Sequence, residues 1–283
     1  MVSIANRVSA AATRLLMVRP THFEVVKYSI NPWMDPESKP VNRDRAMEQW
    51  NKLKDTIEEV GGEVHVMESD KATDWPDIVF ASNAAVVRGK KAYLASFLHP
   101  ERRGEREIYK TWFEDNGFET CGRTDIAFEG AGDGLWCGKD YSRLFAGVGP
   151  RTDPRALEDI AKQLDDGSGF KVVGCKLIDP RFYHIDVAFC PLSDELALWF
   201  PGAFDPVTQH NMRNEGVELV PVTHEDAGFF SCNALVVSKN VIMNHTTTRV
   251  AKTIEKLGYK PIYIDMSEFV KSGGSTKCCT LQI

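Results

Sequence analysis

Residues 46–67 read AMEQWNKLKDTIEEVGGEVHVM, which joins a helix pattern to a strand pattern through two glycines. Apolar residues recur at helical spacing from Ala46 to Val60, as they do when one face of a helix is buried. Gly61 and Gly62 then predict the end of the helix, because glycine adopts the left-handed backbone of a helix C-terminus at little cost. EVHVM alternates between polar and apolar residues, which is typical of a half-buried strand. The stretch therefore predicts one αβ unit.

The same order of helix, glycine and strand returns four more times along the chain. The later junctions are Gly117 before FETC, Gly169 before FKVVGCKL, Gly216 before VELVPV and Gly258 before KPIYI. They recur roughly every 50 residues, a period characteristic of repeat architectures. We therefore predict five αβ units closed around an axis, with residues 15–18 as the first core strand. An open, doubly wound sheet is the alternative that this alternation also permits.

Each unit also contains a second apolar strand pattern with a polar cluster. The polar positions are Asn83 in ASNAAVV, Glu129 in FEGAGDGLW, His184 in YHIDVAFC, Asn233 in SCNALVV and Cys278 in KCCTLQI. If five units close around an axis, these segments converge. Residues far apart in the sequence would then meet in one site.

The composition favours a soluble protein with a small-molecule ligand. The chain has 283 residues, of which 43% are hydrophobic and 26% charged, enough for a sizeable core. The net charge is −6 and no basic tract is present, which argues against a nucleic-acid or membrane-surface partner. No apolar run approaches the roughly 18 residues needed to span a bilayer.

The cysteines favour a reducing compartment. There are seven of them, an odd number without regular close spacing, so a disulfide framework is not indicated. We predict a cytoplasmic protein. The first 20 residues contain three arginines and no acidic residue, so a mitochondrial transit peptide is the alternative.

Cys278 is the candidate nucleophile. It follows Gly273 and Gly274 and lies beside Lys277. Cysteine attacks as the thiolate, so we expect a neighbouring cation such as Lys277 to lower the pKa of this thiol. The alternative is a buried structural thiol.

A histidine and several carboxylates are the candidate partners of that thiol. If YHIDVAFC is a strand, His184 and Asp186 lie on the same face. Histidine is the usual proton carrier near neutral pH. Glu129 and Asp133 lie in the glycine-rich stretch EGAGD, which lets the backbone approach a ligand closely. Paired carboxylates match the planar fork of a guanidinium, so the set predicts a guanidinium ligand.

The motifs FEGAGD (128–133), YHID (183–186) and GGSTKC (273–278) resemble, in the same order, those of the guanidine-modifying superfamily. That superfamily includes arginine deiminases, dimethylarginine dimethylaminohydrolases and amidinotransferases. The resemblance covers nearly the whole chain and implies an α/β fold, the five-bladed αβ propeller called the pentein fold, in a single catalytic domain spanning residues 1–283. INPWM (30–34), WPDIVFASNAAVVRG (75–89) and HPERRGE (99–105) look most like the arginine dihydrolases, which convert arginine to ornithine, ammonia and carbon dioxide.

The resemblance also implies a role for each catalytic residue. Cys278 would attack the guanidinium carbon, and His184 would act as general acid and then as general base. Glu129 would orient the imidazole and pair with the guanidinium, which Asp186 would also bind. No metal and no organic cofactor is implied.

Further positions would contact the substrate. Arg102 and Arg151 match positions that hold the substrate carboxylate, although both could be solvated surface arginines. Asn31 would face the ligand or merely form a turn before Pro32. Asp133 is the fourth candidate contact.

Asn83 bears on the choice among substrates. Relatives that stop at citrulline resemble each other in having an acid here, whereas an amide can donate as well as accept. We therefore expect Asn83 to hold the neutral urea oxygen of citrulline, so that hydrolysis continues to ornithine. In the alternative, Asn83 only caps a turn.

Three other functions remain open from the sequence. A dimethylarginine dimethylaminohydrolase would release citrulline and dimethylamine, and an amidinotransferase would need an acceptor amine. A non-catalytic arginine-binding protein would leave Cys278 unreactive. The sequence leaves open whether the protein forms a homo-oligomer.

Overall fold

The computed structural model describes residues 12–25, 29–35, 40–245 and 248–283. The targeting alternative depends mainly on residues 1–11, which lie outside the described residues. Within these ranges, every helix is too short or too polar to cross a membrane.

The strands of the described residues form five three-stranded sheets. In chain order they are β1 (Arg14–Val18), β2 (Glu63–Met67), β3 (Ala85–Arg88), β4 (Lys91–Leu94), β5 (Glu119–Cys121), β6 (Gly134–Cys137), β7 (Arg143–Val148), β8 (Lys171–Lys176), β9 (Phe189–Ser193), β10 (Leu196–Trp199), β11 (Glu218–Pro221), β12 (Leu235–Val237), β13 (Asn240–Met243), β14 (Lys260–Tyr263) and β15 (Leu281–Gln282). The sheet orders are β15-β1-β2, β3-β4-β5, β6-β7-β8, β9-β10-β11 and β12-β13-β14. In each sheet the middle strand is antiparallel to the first strand and parallel to the third.

One helix connects the two parallel strands of each sheet. The α-helices are α1 (Arg43–Glu59), α2 (Glu105–Asp115), α3 (Ala156–Gln163), α4 (Pro206–Arg213), α5 (His224–Gly228), α6 (Thr248–Lys256) and α7 (Ser267–Val270). The connecting helices are α1, α2, α3, α4 and α6. The predicted repeat of five αβ units is confirmed, and the open single sheet is excluded.

The glycines that predicted the repeat have the expected backbone. Their φ angles are +92° at Gly61, +76° at Gly117, +74° at Gly169, +72° at Gly216 and +81° at Gly258. One detail of the prediction is wrong: α3 ends at Gln163, so Gly169 ends the loop before β8 rather than the helix itself.

The first helix packs as its sequence pattern predicts. Trp50, Leu53 and Ile57 are fully buried, in the same apolar cluster as Leu15 and Met17 of β1. Full burial of such side chains contributes about 1.5–3 kcal/mol each.

The polar clusters lie in turns rather than in strands. Three 3₁₀ turns, Ala81–Ala84, Gly130–Gly132 and Ile185–Val187, precede β3, β6 and β9. The expectation that His184 and Asp186 share a strand face is therefore wrong, because the chain turns between them and the strand begins only at Phe189. The turn is stabilised by the Asp133 carboxylate, which accepts the Ile185 N–H at 3.2 Å.

These turns are joined in a closed ring of hydrogen bonds around the axis of the molecule. The donors and acceptors are Ser82 N to Cys278 O (3.0 Å), Asn83 Nδ2 to Glu129 O (3.3 Å), Ile185 N to Asp133 Oδ1 (3.2 Å), Asn233 Nδ2 to Asp186 O (3.2 Å) and Cys278 N to Asn233 Oδ1 (3.2 Å). The five polar positions that the repeat singled out therefore converge, as predicted.

Candidate active site

Cys278 lies in a turn that the side chain of Asn233 holds in place. The Asn233 Oδ1 accepts the backbone N–H groups of Ser275 at 3.1 Å and of Cys278 at 3.2 Å. Its Nδ2 donates to the Cys278 Sγ at 3.0 Å. In the sequence, only its place in the repeat pointed to Asn233. It positions the thiol and offers a donor to the thiolate.

The thiol is not activated in the way that the sequence suggested. Burial and the nearby Asp186 raise the pKa of Cys278 well above its ordinary value, and the hydrogen bond from Asn233 only partly opposes them. Lys277 donates to the carbonyl of Thr280 at 3.4 Å. The expectation that Lys277 leaves Cys278 with a lowered pKa is therefore wrong, and the thiolate needs a further cation.

Asp186 is placed to receive such a cation. Its Oδ2 lies 3.4 Å from the Cys278 Sγ, and its Oδ1 is buried without a hydrogen-bond partner among the described residues. Burial raises the pKa of Asp186 to about 6, against the opposing charge of Lys277. The carboxylate thus offers an unpaired oxygen beside the thiol.

His184 is paired with Glu129. The His184 Nε2 lies 2.7 Å from the Glu129 Oε2, which also accepts from Arg151 Nη1 at 2.7 Å. Burial raises the pKa of Glu129, but Arg151 and His184 outweigh it and hold that pKa well below its usual range. Burial lowers the pKa of His184 to about 4, against the effect of Glu129. The imidazole is therefore neutral near pH 7, with Nε2–H donating to Glu129 and Nδ1 available as a base.

The fork of Arg102 is already paired. Its Nε and Nη2 donate to the two oxygens of Glu105 at 2.7 and 2.8 Å, and its Nη1 donates to the Asn83 Oδ1 at 2.8 Å. Arg102 also donates to the Asp77 carbonyl at 3.1 Å. In this arrangement only the second Nη1 hydrogen remains for a substrate carboxylate. Arg102 is buried, so the surface alternative is excluded.

Asn83 has a fixed orientation. Because its carbonyl accepts from Arg102, its amide nitrogen points towards the Glu129 carbonyl, 3.3 Å away. This nitrogen has a second hydrogen for a ligand.

Arg151 and Asn31 are each fixed by a hydrogen bond to a backbone carbonyl. The Arg151 Nη2 donates to the Ile30 carbonyl at 2.7 Å, and its guanidinium stacks on the Tyr183 ring. The Asn31 Nδ2 donates to Ser272 O at 3.1 Å. Both side chains are buried, so Arg151 is not a solvated surface arginine.

A small cavity of about 260 Å³ lies between Cys278 and the side chains of Arg102 and Arg151. Its lining includes Cys278, Asn83, Arg102, Arg151, Asn31, Tyr183, Ile30, Met34, Phe80, Ser272 and Asp77.

Asp77 is the clearest residue that sequence reasoning missed. Both of its carboxylate oxygens are buried without a hydrogen-bond partner among the described residues. Burial raises the pKa of Asp77, although the charges of Arg102 and Arg151 oppose it, so a cationic ligand group would stabilise its ionised form. The local sequence WPDIVFASN gives no sign of this role, because most of the residues around Asp77 in the cavity come from distant parts of the chain.

Asp133 lies behind the lining of this cavity, as Asp186, His184 and Glu129 do, and both of its carboxylate oxygens are already used within the protein. Its Oδ2 accepts from Thr152 Oγ1 at 2.7 Å, and its Oδ1 accepts the Ile185 N–H at 3.2 Å. Burial raises the pKa of Asp133 well above its usual range. It supports the turn that carries His184 and Asp186.

Within the described ranges, no group of three or more His, Cys, Asp or Glu side chains is arranged to hold a metal ion.

A buried thiol beside a carboxylate, a histidine–glutamate pair and a five-bladed αβ propeller are the features of the guanidine-modifying superfamily. The family model described as N,N dimethylarginine dimethylhydrolase, eukaryotic, matches residues 19–283, and the chain belongs to this family.

Two curated relatives and one solved structure give the detail. The chain is 40% identical over 95% of its length to the bifunctional arginine dihydrolase/ornithine cyclodeaminase ArgZ of Synechocystis, but spans only 37% of that protein. It is 36% identical to N(G),N(G)-dimethylarginine dimethylaminohydrolase of Mycobacterium tuberculosis, covering 96% of this chain and 86% of the relative. The solved structure is the N-terminal domain of ArgZ, in a variant with an asparagine replaced by serine, covalently bound to a reaction intermediate. It matches this chain with a TM-score of 0.88 and 40% identity, and the match covers 95% of this chain and 97% of that domain.

Proposed function

We propose that this protein hydrolyses the guanidinium C–N bond of L-arginine through a covalent intermediate on Cys278, and continues past citrulline to ornithine. Overall, one arginine and two waters would give ornithine, two ammonia and one carbon dioxide. The similarity to ArgZ over its dihydrolase-bearing domain supports this choice.

The charges around the small cavity carry the proposal. Cys278 lies beside Asp186, which offers an unpaired oxygen for a guanidinium. Asp77, with two unpaired oxygens in the same cavity, would take a second cation such as an α-ammonium group. Arg102 and Arg151 supply positive charge for a carboxylate. L-Arginine carries these three groups in one molecule.

In the first half-reaction the substrate would activate its own nucleophile. A guanidinium bound to Asp186 brings positive charge next to the Cys278 Sγ, which lowers the pKa of the thiol. The thiol proton would pass to His184, and the thiolate would attack the guanidinium carbon. Imidazolium, stabilised by Glu129, would then protonate the departing nitrogen. Ammonia leaves and an S-alkylthiouronium remains.

In the second half-reaction water would attack that intermediate. His184, again neutral, would take the proton of the water, and the C–S bond would break to return the thiol and release citrulline. A second cycle on the urea carbon would release ornithine and a carbamoyl thioester, which hydrolyses to ammonia and carbon dioxide. Asn83 would donate its free N–H to the urea oxygen during this cycle.

A dimethylarginine dimethylaminohydrolase is the second candidate. The matching family model and the relative from M. tuberculosis favour it, and it would use the same cysteine, histidine and glutamate. It differs in the nitrogen that leaves and in stopping at citrulline.

One assay separates the candidates. Purified protein is incubated with L-arginine or with asymmetric dimethylarginine, and ammonia, dimethylamine, citrulline and ornithine are quantified. We expect ornithine with about twice as much ammonia from arginine. The second candidate would be supported instead if the methylated substrate gives dimethylamine and citrulline while arginine gives no product.

Two controls complete the assay. Cys278→Ser should leave the folded protein intact, by circular dichroism, while reducing turnover at least about 10³-fold, since hydroxyl is a far weaker nucleophile. Wild-type protein that forms no product, and whose Cys278 is not modified by an alkylating amidine, would indicate the non-catalytic alternative.

A further inference from the structure

A second cavity lies on the axis of the molecule, beyond the ring of turns that carries the active site. Its volume is about 710 Å³, counted together with the open solvent at its mouth. The first strand of every sheet contributes to its wall, through Val86, Leu135, Phe189, Leu235 and Leu281. Each of these strands follows directly on a turn of the active site, so the two cavities are back to back.

Lys277 is the only charged side chain among the described residues that line this second cavity. It is half-buried, and its ammonium makes one long hydrogen bond, to Thr280 O at 3.4 Å. An ammonium has three donors, so most of its hydrogen-bonding capacity is unused by this contact. The other lining side chains are mostly apolar, apart from Thr280 and Gln282.

We propose that the second cavity is a binding site for a small organic monocarboxylate, with the carboxylate on the Lys277 ammonium and an apolar body against the surrounding strands. A single cation matches a single negative charge, whereas a phosphate dianion would need more positive charge. The apolar wall favours a hydrocarbon or aromatic body over a purely polar anion.

The charge of such a ligand would change the ionisation of the Cys278 thiol. The effect on catalysis rests on the proposed role of Cys278 as nucleophile. Lys277 precedes Cys278 in the chain, and its charge lowers the pKa of Asp186, although burial raises it overall. A carboxylate on Lys277 makes the potential at the neighbouring Sγ more negative, so the thiol ionises less. Occupancy would therefore slow attack by Cys278 without filling the small cavity where the substrate binds.

The test measures binding by titration calorimetry, with no turnover required. The probes are 4-phenylbutyrate and its uncharged amide, 4-phenylbutyramide. We expect saturable binding of the acid to the wild-type protein and at least about tenfold weaker binding of the amide, because the charge pair is lost. Lys277→Met should weaken binding of the acid by a similar factor, while Val236→Trp should block it by filling the cavity with Lys277 still present.

A second measurement tests the link to Cys278. Iodoacetamide is neutral and alkylates the thiolate, so saturating 4-phenylbutyrate should slow alkylation of Cys278 in wild-type protein and not in Val236→Trp. Equal affinities for the acid and the amide, or full affinity for the acid in Lys277→Met or in Val236→Trp, would overturn the site. If Lys277→Met does not fold, the amide and Val236→Trp still decide the question. Failure of arginine turnover affects none of the binding results.

Discussion

Asp186 has two opposing effects on Cys278. Its carboxylate, with Oδ2 3.4 Å from the sulfur, raises the pKa of the thiol, yet it is also the group placed to hold a guanidinium there. Asp186→Asn should therefore change two measurements in opposite directions. Alkylation of Cys278 by iodoacetamide at pH 8 should become about tenfold faster, which corresponds to one unit of pKa. The kcat/KM for arginine should fall by about 10²-fold or more, because a buried charge partner is lost.

The pH dependence gives an independent check on Asp186. With a pKa of about 6, the wild-type carboxylate is ionised above that value and protonated below it. The kcat/KM for arginine should therefore decline as the pH falls through about 6, and this limb should be absent in Asp186→Asn. Faster turnover in the variant, or unchanged alkylation, would contradict the arrangement.

Asn83 is the residue at which the end product should be decided. Asn83→Asp replaces the side-chain N–H donor, which now bonds to the Glu129 carbonyl, by a carboxylate oxygen that can only accept. Arg102 would still pair with the new carboxylate. Citrulline should accumulate from arginine, with ornithine formation reduced about tenfold or more since the urea oxygen loses its donor. Chromatographic quantification of both products over time tests this. A variant that still yields mainly ornithine would leave Asn83 as a residue that only holds Arg102.

At the scale of elements, local signals predicted the repeat but not the turns. A glycine after a helix is recognisable because its left-handed backbone is a local requirement, and Gly61, Gly117, Gly216 and Gly258 all have it. YHIDVAFC resembles a strand in sequence, because the buried 3₁₀ turn and the buried strand that follows it have similar apolar residues. The orphaned carboxylate of Asp77 has no local signal, since its surroundings come from distant segments.

The 3₁₀ turn Gly130–Gly132 shows how tightly these elements meet at the site. A Cβ on Gly132 would lie 2.2 Å from the Asn83 Nδ2 and 3.1 Å from the His184 Nδ1. Gly132→Ala should therefore displace both side chains, lowering kcat at least about 10²-fold and the free energy of unfolding by about 1–3 kcal/mol.

Gly228→Ala is the matched control for that variant. Gly228 lies in α5, and a Cβ there would meet no atom within 4 Å. Its kcat should match that of the wild type in the same arginine assay. If Gly132→Ala keeps normal kcat and stability, the close packing of the turn against Asn83 and His184 is not required.

At the scale of the whole molecule, we expect catalysis to depend on closure of the ring. The first sheet is completed by segments from opposite ends of the described chain, with Leu16 opposite Leu281 and Leu15 opposite Gln282. The hydrogen-bonded ring of turns passes through Cys278, three residues before that strand. Cys278 is therefore held by the same segment of the chain that closes the fold.

Substitutions in β15 can weaken the closure of the ring while every proposed catalytic residue is retained. Leu281 in β15 is buried, whereas its neighbour Gln282 is exposed and donates to the Tyr141 hydroxyl at 2.7 Å. Leu281→Ala should lower the free energy of unfolding by about 2–5 kcal/mol, as loss of a core side chain does. Because β15 anchors the turn of Cys278, kcat should also fall, with KM less affected. Gln282→Ala should cost less than about 1 kcal/mol and leave kcat near that of the wild type. Urea denaturation and steady-state kinetics on both variants measure these effects, and equal losses in the two would show that β15 contributes little to closing the ring.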